Sequence, residues 1–196
     1  FDIDEPEFAQ PSTGFRTFNE FFTRSLKPEA RPIDPDPNAV VFPADGRHMG
    51  WEELGSETGV FLKGQRWDLR ALLDGDEDLV GRFAGGSLVI SRLCPVDYHH
   101  FHFPVSGRVG ETRRMGSRLY SVSPLSLRSR LGYLWQNKRS LTRIATEEHG
   151  EVLFLEVGAT NVGSIRTHPL PGEGRVEKGQ PKGWFEFGGS TVITLF

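Results

Sequence analysis

The sequence predicts a mainly β (α+β) domain, with short strands in a barrel-like arrangement and a few peripheral helices. Three observations carry this. From about Ser87 onward, short β-branched or apolar runs recur, divided by Gly or Pro. The 23 glycines and 13 prolines supply many tight turns. Helical spacing behind a capping residue is confined to two short stretches, both before Ser87.

The first of these opens at Thr17-Phe18-Asn19-Glu20, which has the form of a capping box. Phe18, Phe21, Phe22 and Leu26 then share one face, and Pro28 stops the run. Such a face packs on a core, or leans on a membrane. Residues Pro28 to Pro43 are proline-rich and read as an extended segment wrapping the domain. A second short helix is expected at Asp68–Leu73, capped by Asp68, with Leu69, Leu72 and Leu73 facing inward. Strands are expected at Ser87–Ile90, Val105–Val109, Val152–Val157, Val162–Ile165 and Val192–Phe196. No repeat of fixed period interrupts this order, so residues 1–196 read as one domain.

Composition narrows the possible functions. The 196 residues suffice for one sizeable core, and 37% apolar with 25% charged residues fits a folded chain. A formal charge of −3 argues against a general nucleic-acid binder. The single cysteine, Cys94, cannot close an intrachain disulfide. No apolar run reaches the roughly 18–20 residues that a membrane span needs.

Reactive groups concentrate in three places. The first is Pro43-Ala44-Asp45-Gly46, where the aspartate has the setting of a turn residue. In the second, Asp97-Tyr98-His99-His100-Phe101-His102-Phe103-Pro104, three of the six histidines fall within four residues. On a strand His100 and His102 would point one way and His99 the other; a turn at Tyr98–His99 would instead bring His99 and His102 to one pocket. Metal binding, base catalysis and a plain polar cluster all fit that spacing. The third, Gly188-Gly189-Ser190-Thr191, reads as a tight turn between strands. It also has what chain self-cleavage favours: an unhindered glycine carbonyl beside a hydroxyl that a nearby base can activate.

Taken together these segments resemble the phosphatidylserine decarboxylases, over nearly the whole chain. Phe18-Asn19-Glu20-Phe21-Phe22-Thr23-Arg24 with Arg31-Pro32-Ile33 is similar to the family's N-terminal signature. The Asp45 and histidine segments follow, then Gly116, Leu119-Tyr120-Ser121-Val122-Ser123-Pro124 and Asn137-Lys138-Arg139. Val157-Gly158-Ala159-Thr160-Asn161-Val162-Gly163-Ser164-Ile165 and Gly188-Gly189-Ser190-Thr191 complete the order. Three departures stand out: Gly188 where leucine is common, His100 where arginine is frequent, and Lys138 where glutamate is frequent.

The resemblance implies a mechanism that can be laid over these residues. Asp45 would orient His102, and His102 would act as base on the Ser190 hydroxyl. Ser190 would attack the Gly189 carbonyl, and elimination and hydrolysis would leave a covalent pyruvoyl group at position 190. That cofactor would form a Schiff base with the amine of phosphatidylserine, releasing CO2 and phosphatidylethanolamine, with His99 assisting decarboxylation or protonation. No metal is required. Residues 1–189 would be the β-chain part and residues 190–196 the start of a truncated α-chain, both from one proenzyme. The implied partners are the lipid, a membrane surface and, as an option, a second copy in a homodimer. The implied location is peripheral, on the cytoplasmic face of the cell membrane. Three other readings stay open. They are a pyruvoyl-dependent decarboxylase of a free aromatic amino acid, a non-catalytic β-barrel binding module, and a cupin-like metal enzyme using His100, His102 and Glu111.

Overall fold

The computed structural model describes residues 4–54, 61–62, 65–160, 165–170, 172, 174–187 and 190–196, with the backbone alone at 61–62 and 65–66. Twelve strands are described: β1 (Arg47–Trp51), β2 (Phe61–Leu62), β3 (Gln65–Arg66), β4 (Leu88–Leu93), β5 (His100–His102) and β6 (Gly107–Met115), followed by β7 (Arg139–Ala145), β8 (Glu151–Val157), β9 (Ile165–Thr167), β10 (Arg175–Val176), β11 (Pro181–Phe185) and β12 (Ser190–Leu195). Five short helices accompany them: α1 (Phe18–Phe22), α2 (Leu69–Leu72), α3 (Glu77–Phe83), α4 (Pro124–Ser129) and α5 (Tyr133–Gln136).

The chain is mainly β, as expected, but the described strands form open sheets and not a closed barrel. Seven pair in the order β1-β4-β12-β8-β7-β6-β10, and three in the order β5-β11-β9. All named pairs are antiparallel. β12 lies in the middle of the large sheet and is buried at all six positions, which suits its run of Val, Ile, Thr and Leu. Alternation sorts its side chains to two cores. Ile193 and Leu195 join Leu88, Leu141, Leu153 and Leu155 under the helices. Val192 joins Leu93, Phe101, Phe103, Phe154 and Phe185 between the two sheets.

The expected caps form. Thr17 Oγ1 accepts from the Glu20 N–H, although the Glu20 carboxylate turns back to the Arg16 N–H instead of completing the box on Thr17. Asp68 accepts from Ala71 N–H and starts α2, and Leu72 and Leu73 are fully buried. The first helix is shorter than its apolar spacing suggested. It stops at Phe22, and Leu26 forms a bridge with Phe8. Pro28–Pro43 carries one 3₁₀ turn, Pro28–Ala30, and otherwise runs without helix or strand. The strand expected at Val162–Ile165 falls mostly outside the described residues; its described part starts β9.

Candidate active site

The histidine segment follows the alternating-strand reading. β5 places His100 and His102 on one side, where Tyr98 stacks on His100 at 4.8 Å and lies 5.8 Å from His102. His99 turns the other way, its ring centroid 3.7 Å from that of Phe22 on α1. Arg24, just after α1, lies over the Phe8 and Phe21 rings and donates to the Val96 carbonyl. The N-terminal segment is thereby fastened to the turn that leads into the histidines.

Each histidine is oriented through one ring nitrogen. His99 Nδ1 is 2.8 Å from the Asp97 carbonyl, His100 Nε2 is 3.0 Å from the Thr23 carbonyl, and His102 Nδ1 is 3.0 Å from the Gly179 carbonyl. A carbonyl only accepts, so those nitrogens carry the hydrogen; His99 and His102 keep Nε2 as the basic atom. Burial lowers the pKa of all three rings, and that of His99 falls to about 4. His99 is therefore neutral near pH 7. Its Nε2 is buried and has no hydrogen-bond partner among the described residues. Burial also pushes the Tyr98 phenol up to about 12.

Asp45 and His102 come together. The His102 N–H donates to the Pro43 carbonyl at 2.7 Å, pinning the aspartate turn against β5. Gly46 makes this turn possible: it sits at φ 135°, and a Cβ there would lie 2.3 Å from the Arg92 carbonyl oxygen. Both side chains line a cavity of about 970 Å³ together with Arg31, His48, Asp97 and Tyr98. No hydrogen bond joins Asp45 to His102 among the described residues. The carboxylate is gripped instead by Arg31, with Nε 2.9 Å from Oδ1 and Nη2 2.6 Å from Oδ2, while Arg31 Nη1 also reaches Glu7 at 2.9 Å. This fork is the charge-assisted bidentate geometry particular to arginine. Its importance was not legible in the sequence, where Arg31 was only part of a signature.

Ser190 opens β12 opposite Leu93, the last residue of β4. It is fully buried, and its Oγ has no partner among the described residues. It does not line the Asp45–His102 cavity. Gly189 lies outside the described residues. Glu111, the third ligand of the metal-enzyme alternative, lies on β6 and lines a different cavity from His102. Among the described residues no group of three or more His, Cys, Asp or Glu side chains could hold a metal ion.

The Asp motif lies in the turn before β1, the His motif on β5 of the small sheet and the Ser motif at the head of β12 in the large one, and this set of motifs in an open, mainly β fold points to one class of protein. The chain belongs to the phosphatidylserine decarboxylase family, whose model matches residues 18–196. It is 45% identical over 196 residues to the phosphatidylserine decarboxylase proenzyme of Ruminiclostridium cellulolyticum, covering 100% of this chain and 65% of that protein. Against the proenzyme of Chlamydia felis it is 46% identical over 190 residues, 97% of this chain and 63% of the relative. The proenzyme of Chlamydia caviae gives 45% over 190 residues, with the same coverage of 97% and 63%. The chain thus spans a little under two thirds of the length of these relatives.

Proposed function

We propose that this chain belongs to a self-cleaving phosphatidylserine decarboxylase proenzyme, which converts phosphatidylserine to phosphatidylethanolamine and CO2 with a pyruvoyl group derived from Ser190. The single observation that carries this is the buried Ser190 hydroxyl at the start of a central strand, immediately after Gly189, with no hydrogen-bond partner among the described residues. An unsatisfied buried hydroxyl costs about 1–3 kcal/mol and calls for an explanation; Thr191 and Thr194 of the same strand share that state, and what sets Ser190 apart is the glycine carbonyl that precedes it in the chain. Family membership and the proenzyme names of the relatives support the same conclusion.

The chemistry runs through this chain's own atoms. Ser190 Oγ adds to the Gly189 carbonyl as a base takes its proton; the C–N bond breaks, the proton passes to the freed amine, and an ester links the two parts. Loss of the Ser190 α-proton expels the Gly189 carboxylate and leaves a dehydroalanine, which water hydrolyses with release of ammonia. His102, with a lone pair at Nε2 and a cavity shared with Asp45, is assigned as the base. His99, neutral and held against Phe22, is assigned to the decarboxylation stage. The pyruvoyl carbonyl supplies an electrophile for the substrate amine and a sink for the electron pair left as CO2 departs. The Asp45 cavity suits an amphiphile: Arg31 and His102 face it, and the exposed Ile33, Val40 and Phe42 form its apolar wall. Among the described residues no helix is long and apolar enough to cross a membrane, so the lipid would be met at a bilayer surface.

Intact-mass spectrometry of the full-length protein beside its Ser190→Ala, His102→Ala and His99→Ala variants tests this. The expected result is two fragments split after Gly189, absent in Ser190→Ala and His102→Ala and present in His99→Ala. One uncut mass for the wild type overturns the self-cleavage. Cleavage by His102→Ala but not His99→Ala reverses the two assignments.

A further inference from the structure

A further cavity, of about 460 Å³, lies on the face of the large sheet that turns toward the small one, at the end away from Ser190. Thr194 is four residues beyond Ser190 in β12 and on the same face, about 13 Å along the strand. It pairs with Val89 of β4, and both line the cavity. The facing wall is the segment Val40–Pro43, which is tied down through its backbone. Val41 N–H donates to the Pro104 carbonyl at 3.1 Å, the Pro43 carbonyl accepts from His102 N–H, and the preceding Ala39 carbonyl accepts from Lys178 Nζ at 3.1 Å. The apolar side chains of this segment stay open to solvent: Val40 is 43% exposed, and Phe42, stacked on His48, is 63% exposed. Val40, Val41 and Phe42 also line the Asp45–His102 cavity, so one strip of chain divides the two.

The lining combines apolar walls with two polar points. Seven of the ten lining residues are apolar, and no described one is Asp, Glu, Lys or Arg. A ligand with a charged body would lose its hydration there and meet no counter-charge. Two polar atoms stand unsatisfied. Thr194 is 2% exposed, and its hydroxyl has no partner among the described residues. His149, in the turn between β7 and β8, is held through its backbone N–H by Thr146 Oγ1 at 2.8 Å, and its buried Nε2 is likewise without a partner among the described residues. Both residues line this one cavity. A hydroxyl donates to a carbonyl or carboxylate oxygen, and an imidazole does the same with its hydrogen on Nε2. An aliphatic chain headed by such an oxygen fits the walls and both polar points. Apolar walls with a few converging polar groups, in a volume of about 300–1,000 Å³, are the usual form of a small-molecule site.

We propose that this cavity binds an acyl chain, whose ester or carboxyl oxygen accepts from Thr194 and His149. The chain can belong to the lipid whose headgroup enters the Asp45–His102 cavity across the Val40–Phe42 strip, or to a free fatty acid. The first source rests on the decarboxylase reading above; the second does not. Backbone amide shifts are followed on the isotope-labelled full-length protein with Ser190→Ala, which leaves the lipid unconverted. The probes, each below its micelle-forming concentration, are decanoate, dihexanoyl phosphatidylserine and the chain-free glycerophosphoserine. Saturable shifts at Val89, His149 and Thr194 are expected with a probe that carries a chain and not with glycerophosphoserine. Thr194→Val keeps the shape and should leave the urea midpoint level or raised, yet weaken binding about threefold or more. Val89→Glu should abolish binding, and if it does not fold, Thr194→Val carries the test. Saturation by phosphatidylserine alone identifies the substrate lipid as the source; saturation by decanoate identifies a free fatty acid. Three results overturn the proposal: no saturable response to either chain-bearing probe, the same shifts with glycerophosphoserine, or binding unchanged in the variants. Self-cleavage of the wild type, read by mass, reports on Ser190 independently, so its failure would leave the decanoate result standing.

Discussion

Lys182→Met isolates one charge of the inter-sheet layer. In the native chain Lys182 is 4% exposed and Glu156 0%, and their ion pair sits among Phe101, Phe103 and Phe154. Methionine fills a similar volume but leaves the Glu156 carboxylate buried, with Ser140 as its remaining described partner. Breaking a buried pair in this way costs about 3–5 kcal/mol, a large share of the roughly 5–15 kcal/mol that a domain has. Adding Glu156→Gln removes the stranded charge while keeping an acceptor for Ser140, so the double variant should lose only about 1–2 kcal/mol. The assay is urea unfolding in a Ser190→Ala background, which keeps the chain continuous and a two-state treatment applicable. The sum of the single losses should exceed the double loss by at least about 2 kcal/mol. If Lys182→Met does not fold, recovery in the double variant carries the same information. A single loss below about 1 kcal/mol, or strict additivity, would refute a tightly coupled pair.

Three further outcomes are expected. His99 has a pKa of about 4 in the fold against about 6.5 in the unfolded chain, so the unfolded state takes up the proton first as pH falls. Its stabilisation is complete above pH 6.5 and is lost on acidification through pH 4, by about 3 kcal/mol in total; urea midpoints at several pH values should fall accordingly, and His99→Gln should flatten that slope. Arg31→Gln removes a half-exposed fork on Asp45 and should cost under about 1 kcal/mol of stability while slowing self-cleavage about tenfold or more. Arg31→Lys should not restore the rate, because an ammonium lacks the two-point grip; an unchanged rate in both would remove Arg31 from the site. Gly179→Ala should destabilise by about 1–3 kcal/mol, because φ is 80° there and the new Cβ would lie 2.5 Å from Ile33 Cγ1. Calorimetry with no shift in midpoint would contradict that geometry.

What was legible in the sequence were features with a local cause. β8 and β12 are continuous apolar runs because both faces of their strands are buried, and Asp68 announces α2 by capping it. β7 escaped notice because Arg139, Ser140 and Thr142 read as surface residues; they are buried, and partners on other elements satisfy them. β11 is absent from the expected strands because Pro181 and Gly183, both poor strand formers, flank a bulge. α3, seven residues capped by Asp76, was too short for its Leu79–Phe83 spacing to register. In the candidate site, the motifs bearing Asp45, His99, His102 and Ser190 were all visible. The grip of Arg31 on Asp45 was not, because nothing local couples residues on either side of a proline-rich segment.

The place of Ser190 at the head of β12 bears on what a cut there would do. β12 is paired at six positions with β4 and at five with β8, and all six of its residues are buried. Breaking the bond before Ser190 removes the covalent tie but none of this pairing, and the strand has already lost the conformational entropy of ordering. The new terminus would therefore stay fixed at the edge of the inter-sheet core, beside Leu93 and the turn that carries His99. A catalytic group made from the serine, as proposed above, would need this kind of anchorage, since after a cut the strand is held in place by its pairing and its burial. The same pairing would hold the two parts together as one folded unit, so under the proposed cleavage the two parts should stay associated.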